Sequence, residues 1–187
     1  MPLVPPGAVG LKFWSPVSVD KRTRNAWNVE DTSARITLSN LDRTATSLGT
    51  QGVRSTRTWP NETAGKLYAE FVINVVTSTS YVGLSPRSTA NPAGFTNSVA
   101  VSLFNGAIQI SGSNTGFTVG AAVSAADIVC IAWDAGAENI WYRKNNNLWN
   151  NDASADPATG TGGLNIAATI GAVECALWFF AQTTNEQ

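Results

Sequence analysis

The 187-residue chain contains no histidine. That removes Ser-His-Asp and Cys-His nucleophilic triads, and zinc sites built on imidazole. Two cysteines, Cys130 and Cys175, are too few for a four-thiolate metal site. Each lies in a strand-like apolar run, where a buried, reduced thiol is expected of a protein made in the cytoplasm. Acid–base chemistry would therefore rest on carboxylates. A glycosidase needs two of them across a cleft, roughly 5–9.5 Å apart. Glu70 has no acidic residue two or four positions away along its run, so it reads as a hydrogen-bonded strand residue. Asp127 and Asp134 bracket an apolar run and read as turn residues. The stretch Asn150-Asn-Asp-Ala-Ser-Ala-Asp156 offers oxygen atoms but lacks the dense carboxylates of a tight calcium site, so Asx turns are expected there. No catalytic residue, metal or cofactor is expected; the chain reads as a non-enzyme.

Recognition then falls to aromatic and amide side chains. Trp133, Trp141 and Trp178 sit in the middle of apolar runs and belong to a core. Trp149 follows Asn145-Asn-Asn-Leu and precedes Asn150-Asn-Asp, while Phe95 lies in a Pro- and Asn-containing loop. For both, anchoring a loop competes with touching a ligand. The candidate ligand- or partner-contacting residues are Phe95, Asn146, Asn147, Trp149, Asn150 and Asp152. The glycine-rich stretches 112–116 and 160–163 do not open a helix after a strand, so they read as hairpin loops and not as phosphate cradles.

The elements that must position these residues are short strands. Strand-like runs fall at 35–39, 44–48, 52–59, 66–76, 81–84, 99–104, 107–111, 128–133, 140–144, 164–168 and 173–181. In the run 66–76, Leu67, Ala69, Phe71, Ile73 and Val75 alternate with Lys66, Tyr68, Glu70, Val72 and Asn74. A period of two predicts one face in a core and one partly exposed. Asn105-Gly106 predicts a two-residue hairpin turn. No ten-residue stretch carries the 3.6 period of a helix. The fold class expected is all-β, a sandwich of two antiparallel sheets.

The first 33 residues read as irregular, because Pro2, Pro5, Pro6 and Pro16 block helix and interrupt sheet pairing. They divide the chain into an N-terminal docking segment, 1–33, and a sandwich domain, 34–187. The docking contacts expected are Trp14, Lys21, Arg22, Arg24 and Trp27. Charged residues make up 13% of the chain, about half the usual share of roughly 25%. Net charge is −1, and no basic stripe is interleaved with aromatics, so no nucleic-acid partner is expected. The opening Met-Pro-Leu-Val-Pro-Pro-Gly lacks the charged and apolar regions of a signal peptide. The longest apolar run, Ala176-Leu-Trp-Phe-Phe-Ala181, falls far short of the roughly 18 residues that span a bilayer, so no membrane partner is expected either.

Four motifs in series carry a family resemblance. Gly65-Lys-Leu-Tyr-Ala-Glu-Phe-Val-Ile73 resembles the GKxYxEVxI strand of SPRY (B30.2-like) domains, and Tyr81-Val-Gly-Leu-Ser85 resembles the strand that follows it. Asp127-Ile-Val-Cys-Ile-Ala-Trp-Asp134 is similar to DVIGVAxD, and Ile140-Trp-Tyr-Arg-Lys-Asn145 to LWFxKNG. Cys130 stands where glycine is common, and Asn146 where glycine usually follows Lys-Asn. The resemblance implies a bent two-sheet antiparallel β-sandwich of the SPRY or concanavalin-like jelly-roll type. Trp149-Asn150 and Ala155-Asp-Pro-Ala-Thr-Gly-Thr-Gly-Gly163 further resemble a loop of SPRY-like modules encoded by tailed bacteriophages and prophages. That implies a virion component, a head, collar or tail-fibre or decoration protein. Its partners would be other virion proteins, with many copies on the particle. The alternative expectation is an adhesin module that recognises host-surface carbohydrate.

Overall fold

Alternation of apolar and polar residues decides which way each strand faces, and that choice builds the molecule. The computed structural model describes residues 8–12, 26–59, 65–76, 79–88, 94–170 and 174–182. Its strands, in chain order, are β1 (Ala8–Lys12), β2 (Trp27–Thr32), β3 (Ile36–Ser39), β4 (Thr44–Ser47), β5 (Gln51–Trp59), β6 (Lys66–Ile73) and β7 (Thr79–Pro86). They continue with β8 (Val99–Ser102), β9 (Ala107–Ile110), β10 (Ser113–Thr118), β11 (Ile128–Asp134), β12 (Asn139–Lys144), β13 (Leu164–Asn165) and β14 (Cys175–Gln182). A 3-10 turn spans Trp149–Asn151. Sheet I has the order β13-β12-β11-β6-β1-β4-β3, and sheet II the order β10-β9-β8-β7-β14-β5-β2. Neighbours pair antiparallel, as in β6 with β11 and β14 with β7. The expected all-β, two-sheet antiparallel sandwich is the fold observed.

The core lies between the two inner faces. Sheet I contributes Ala69, Phe71 and Ile73 from β6, with Val129, Ile131, Ile140 and Tyr142 from β11 and β12. Sheet II contributes Val82, Leu84, Val99, Val101, Leu177 and Phe179. Each large side chain buried this way is worth about 1.5–3 kcal/mol. The Tyr142 hydroxyl crosses the core and donates to the Val99 carbonyl at 2.7 Å, so this polar atom brought inside is satisfied by the facing sheet. The two cysteines are buried and are not joined to each other by a disulfide. They occupy different sheets, Cys175 packed in the core from β14 and Cys130 on β11.

The N-terminal region departs most from expectation. β1 lies inside sheet I between β4 and β6, with Val9 opposite Ala45 and Lys12 opposite Glu70. β2 forms the edge of sheet II against β5. Trp27 is fully buried, its ring centroid 6.3 Å from those of both Phe71 and Phe179, one from each sheet. The boundary at residue 33 therefore does not separate a docking segment from a domain, and Trp27 is a core residue with no surface to offer a partner. Asp31 of β2 also receives the nearly fully buried Arg54 guanidinium at 2.8 and 3.1 Å. Trp14, Lys21, Arg22 and Arg24 lie outside the described residues.

Two further expectations change. The stretch from Gly112 to Gly116 is hairpin turn only at its start: Ser111 and Gly112, both left-handed, join β9 to β10 with Ile110 opposite Ser113, and residues 113–116 are strand. Side chains hold this polar edge strand: the Thr115 and Thr118 hydroxyls donate to the carbonyls of Ile108 and Gly106 at 2.7 and 2.9 Å. The β8–β9 turn is also wider than a two-residue hairpin. Gly106 N–H closes it onto Ser102 O at 2.8 Å, and Gly106 has φ +75° while Asn105 is not left-handed.

Candidate functional site

The outer face of sheet I gathers residues whose outward direction follows from their parity. In β6 these are Lys66, Tyr68, Glu70 and Val72, opposite the buried Ala69, Phe71 and Ile73. Register places Glu70 beside Cys130 and Cys130 beside Arg143; in the next row Tyr68 neighbours Ala132, which neighbours Trp141. Strands are about 4.8 Å apart, so Tyr68, Glu70 and Arg143 share one small area.

The loop after β12 folds back over this area and is held along its length. Asn145 (φ +55°) accepts from Ile128 N–H at 2.8 Å and donates to the Asp127 carboxylate at 2.7 Å. Asn150 (φ +49°) turns inward, accepting from Tyr142 N–H and donating to Gly162 O, both at 2.9 Å. Trp141 donates its indole N–H to Thr161 O at 2.8 Å. Gly163 lies against that indole, and a Cβ there would stand 2.5 Å from it, so only glycine lets the loop descend. Lys66 Nζ donates to the carbonyls of Pro157 and Ala158 at 2.9 Å each, 3.8 Å from Asp134. The cation that these loop oxygens face is thus a lysine ammonium. Among the described residues no three Asp, Glu, Cys or His side chains converge as metal ligands. A hollow under Pro157, lined by Lys66, Trp133 and Trp141, measures ≈ 20 Å³. That is room for about one water molecule.

Held in this way, Trp149 lies half-buried over the outer face of sheet I. The Arg143 guanidinium carbon is 4.4 Å from the centroid of its ring, within cation–π range. Tyr68 meets Trp149 edge-on, centroids 6.4 Å apart at 83°. The Tyr68 hydroxyl donates to Glu70 Oε1 at 2.7 Å. Burial raises the Tyr68 pKa, and neighbouring Cys130 and Glu70 add to it. Burial alone would lower the Arg143 pKa, but Tyr68 and Cys130 beside it outweigh that and raise it. Tyr68 therefore stays protonated and Arg143 charged at neutral pH. Arg143 Nε is buried without a hydrogen-bond partner. Among the described side chains neither Glu70 nor Arg143 belongs to an ion pair, and Arg143 is hydrogen-bonded to Tyr68 and Cys130.

The candidate contact residues do not form one site. Phe95 covers the outer face of sheet II, packed edge-on against Tyr81 (4.5 Å), Phe180 (5.0 Å) and Trp178 (5.6 Å). It anchors its loop, on the side of the sandwich opposite Trp149. Asn150 is buried and spent on backbone hydrogen bonds, so it is a fastening residue. Asp152 is exposed and accepts from Ser154 N–H and Oγ at 2.8 Å each, the expected Asx turn. Asn146 and Asn147 are exposed at the loop's start. Trp133, Trp141 and Trp178 are buried, as expected. Tyr68 and Arg143 were not singled out in the sequence. The available signal was parity: both sit one position from a core residue in strands whose inward faces alternate cleanly.

No protein-family model matches the sequence, and no curated protein matches it. Twenty-four chains of solved structures match the fold. One is the SPRY domain of human HERC1, with a TM-score of 0.58 and 14% sequence identity over 86% of this chain and 92% of that one. The fold is SPRY-like. The SPRY-like sandwich thus agrees with the order of motifs in β6, β7, β11 and β12, and the Trp149 platform lies on its sheet I.

Proposed function

We propose that this chain is a non-catalytic binding and assembly module, a structural or decorating component of a phage-like particle carried in many copies. The observation that carries the reading is the loop 145–163. Its Trp149-Asn150 and Ala155–Gly163 residues are those that resemble the phage-encoded modules, and the loop is held by Asn150, Trp141 and Lys66 into one fixed outward surface. Such a surface suits docking without chemistry. Glu70, the carboxylate on the platform, has Tyr68 and Cys130 as neighbours and Lys12 opposite it in the register, and no second carboxylate among these. Contact with the particle is assigned to Trp14, Lys21, Arg22 and Arg24, on the connection from β1 to β2. Mass spectrometry of purified particles tests this. The chain is expected among the virion proteins, and replacing those four residues with serine is expected to remove it from particles without lowering its melting temperature. Undiminished incorporation of that variant would overturn the assignment, and absence of the wild type from particles would overturn the reading.

The alternative role, an adhesin module for host-surface carbohydrate, is favoured by one observation. Trp149 is only partly buried and lies beside the polar side chains of Tyr68 and Arg143.

A further inference from the structure

Sheet I falls into two parts that β1 joins. On one side of β1 stands the β3–β4 hairpin, and on the other the run β6-β11-β12-β13. β1 is antiparallel to both neighbours, with Val9 opposite Ala45 on one side and Ile73 on the other, and Gly10 between Thr44 and Val72. The slot between β4 and β6 is therefore specified in register on both walls for the strand Ala-Val-Gly-Leu-Lys. When that strand leaves, two unpaired strand edges face each other, and such edges recruit another strand. The chain passes from β1 to β2 through residues 13–26, and the ends of this connection lie close together. Gly10 opposes Thr44, so β1 ends beside the start of β4, while Trp27 N–H at the start of β2 donates to Asp42 O at 2.6 Å. That gap is one or two strand spacings, roughly 5–10 Å. Fully extended, residues 13–26 span roughly 45 Å. The connection is several times longer than the gap, so its length does not confine β1 to the slot of its own chain. An identical strand from another copy makes the same ladder bonds in the same register. The two arrangements then differ only in the entropy of the connection and in concentration.

We propose that the slot between β4 and β6 is a strand-acceptor site that takes β1 of a second copy of this chain, so that neighbouring copies exchange β1 and are linked by it. The strand of the same chain competes at an effective concentration of millimolar order, and that value falls as the connection lengthens. Dilute chains keep β1 in their own slot, and copies packed side by side exchange it. This goes beyond docking through loops: neither the Trp149 platform nor Phe95 takes part, and exchange is a property of the chain with or without a particle.

Cysteine pairs placed across the register test it with the full chain. Ala8 opposes Thr46 on the β4 wall, and Gly10 opposes Val72 on the β6 wall. Opposed residues of an antiparallel pair have Cα atoms about 4.5–5.5 Å apart, within reach of a disulfide. The native Cys130 and Cys175 are buried. One chain carrying both Ala8→Cys and Thr46→Cys is expected to close an internal disulfide in dilute solution. A chain with Ala8→Cys alone and a chain with Thr46→Cys alone are then unfolded together, refolded at a series of concentrations and oxidised. The expected product is a disulfide-linked heterodimer, identified by peptide mapping, whose yield rises roughly in proportion to concentration from about 10 µM to about 1 mM. Gly10→Cys with Val72→Cys is expected to behave in the same way, and it carries the test should Thr46→Cys not refold. Adding Val9→Pro and Leu11→Pro to the Ala8→Cys chain breaks strand pairing and should cut the heterodimer at least about tenfold. An undiminished yield from that chain would mean chance collision of loose segments and would overturn the proposal. So would an internal disulfide that closes while neither mixture gives a heterodimer at about 1 mM. The experiment uses purified chain, so its outcome is separate from whether the chain is found among virion proteins.

Discussion

Asn150 shows how one side chain sets the candidate surface. Its left-handed backbone suits asparagine better than most residues, and its amide joins Tyr142 N–H on one side to Gly162 O on the other. The sequence places it beside Trp149 and so suggests a ligand contact. Burial makes it the fastening that lets Trp149 be one. Asn150→Ala leaves a buried N–H and a carbonyl without their partner, which costs about 1–3 kcal/mol per group. Chemical denaturation should show a lower midpoint, and hydrogen exchange should show faster exchange at Tyr142 N–H. An unchanged midpoint would mean that water replaces the amide without loss. Glu70 and Arg143 show the converse. Their types and outward parity are plain in the sequence, but that they flank the same cysteine follows only from the register of β6, β11 and β12.

At the scale of elements, strands with a strong local pattern were legible and strands without one were not. β6, β11, β12 and β14 alternate or carry unbroken apolar runs, and they stand where expected. β1, β2 and β10 are proline-flanked, acidic or polar, so nothing local marks them. Backbone pairing with strands far along the chain holds them, and composition does not record that. The consequence is testable with the chain lacking residues 1–33. This deletion removes the strand between β4 and β6, takes Trp27 from between Phe71 and Phe179, and leaves the buried Arg54 without Asp31. Loss of a large core aromatic alone costs about 3–5 kcal/mol, and a buried charge stripped of its partner about as much again. Together these rival the stability of a whole domain. The truncated chain is expected to show no cooperative thermal transition by circular dichroism. A sharp transition near that of the full chain would show that the segment is separable after all.

For the molecule as a whole, the shared core makes global stability sensitive to alkaline pH. Burial, with a smaller contribution from Glu174, pushes the Cys175 thiol up to about 12. An unfolded thiol titrates near 8.5. Above that pH the unfolded chain loses a proton that the folded chain keeps, so the contribution is complete below about 8.5 and is lost as pH rises toward the folded value. Cys175→Ala should therefore show a shallower fall of denaturation midpoint than the wild type between about pH 8.5 and 11. Equal slopes would mean the thiol is not protected. Tyr81, also raised by burial, contributes to both proteins alike, whereas Tyr142, raised by burial and by neighbouring Cys175, loses the second cause in the variant, which flattens its fall further. The sequence by itself determined the all-β class, the inward and outward faces of its best strands, and the exclusion of histidine chemistry. Each of these depends on residue type or on a period of two along the chain. Only the tertiary structure decided that Trp27 joins the two sheets, that Phe95 and Trp149 lie on opposite sides, and that Tyr68, Glu70, Arg143 and Trp149 share one surface. Those outcomes are set by which distant strands pair and in what register, and no local pattern encodes that.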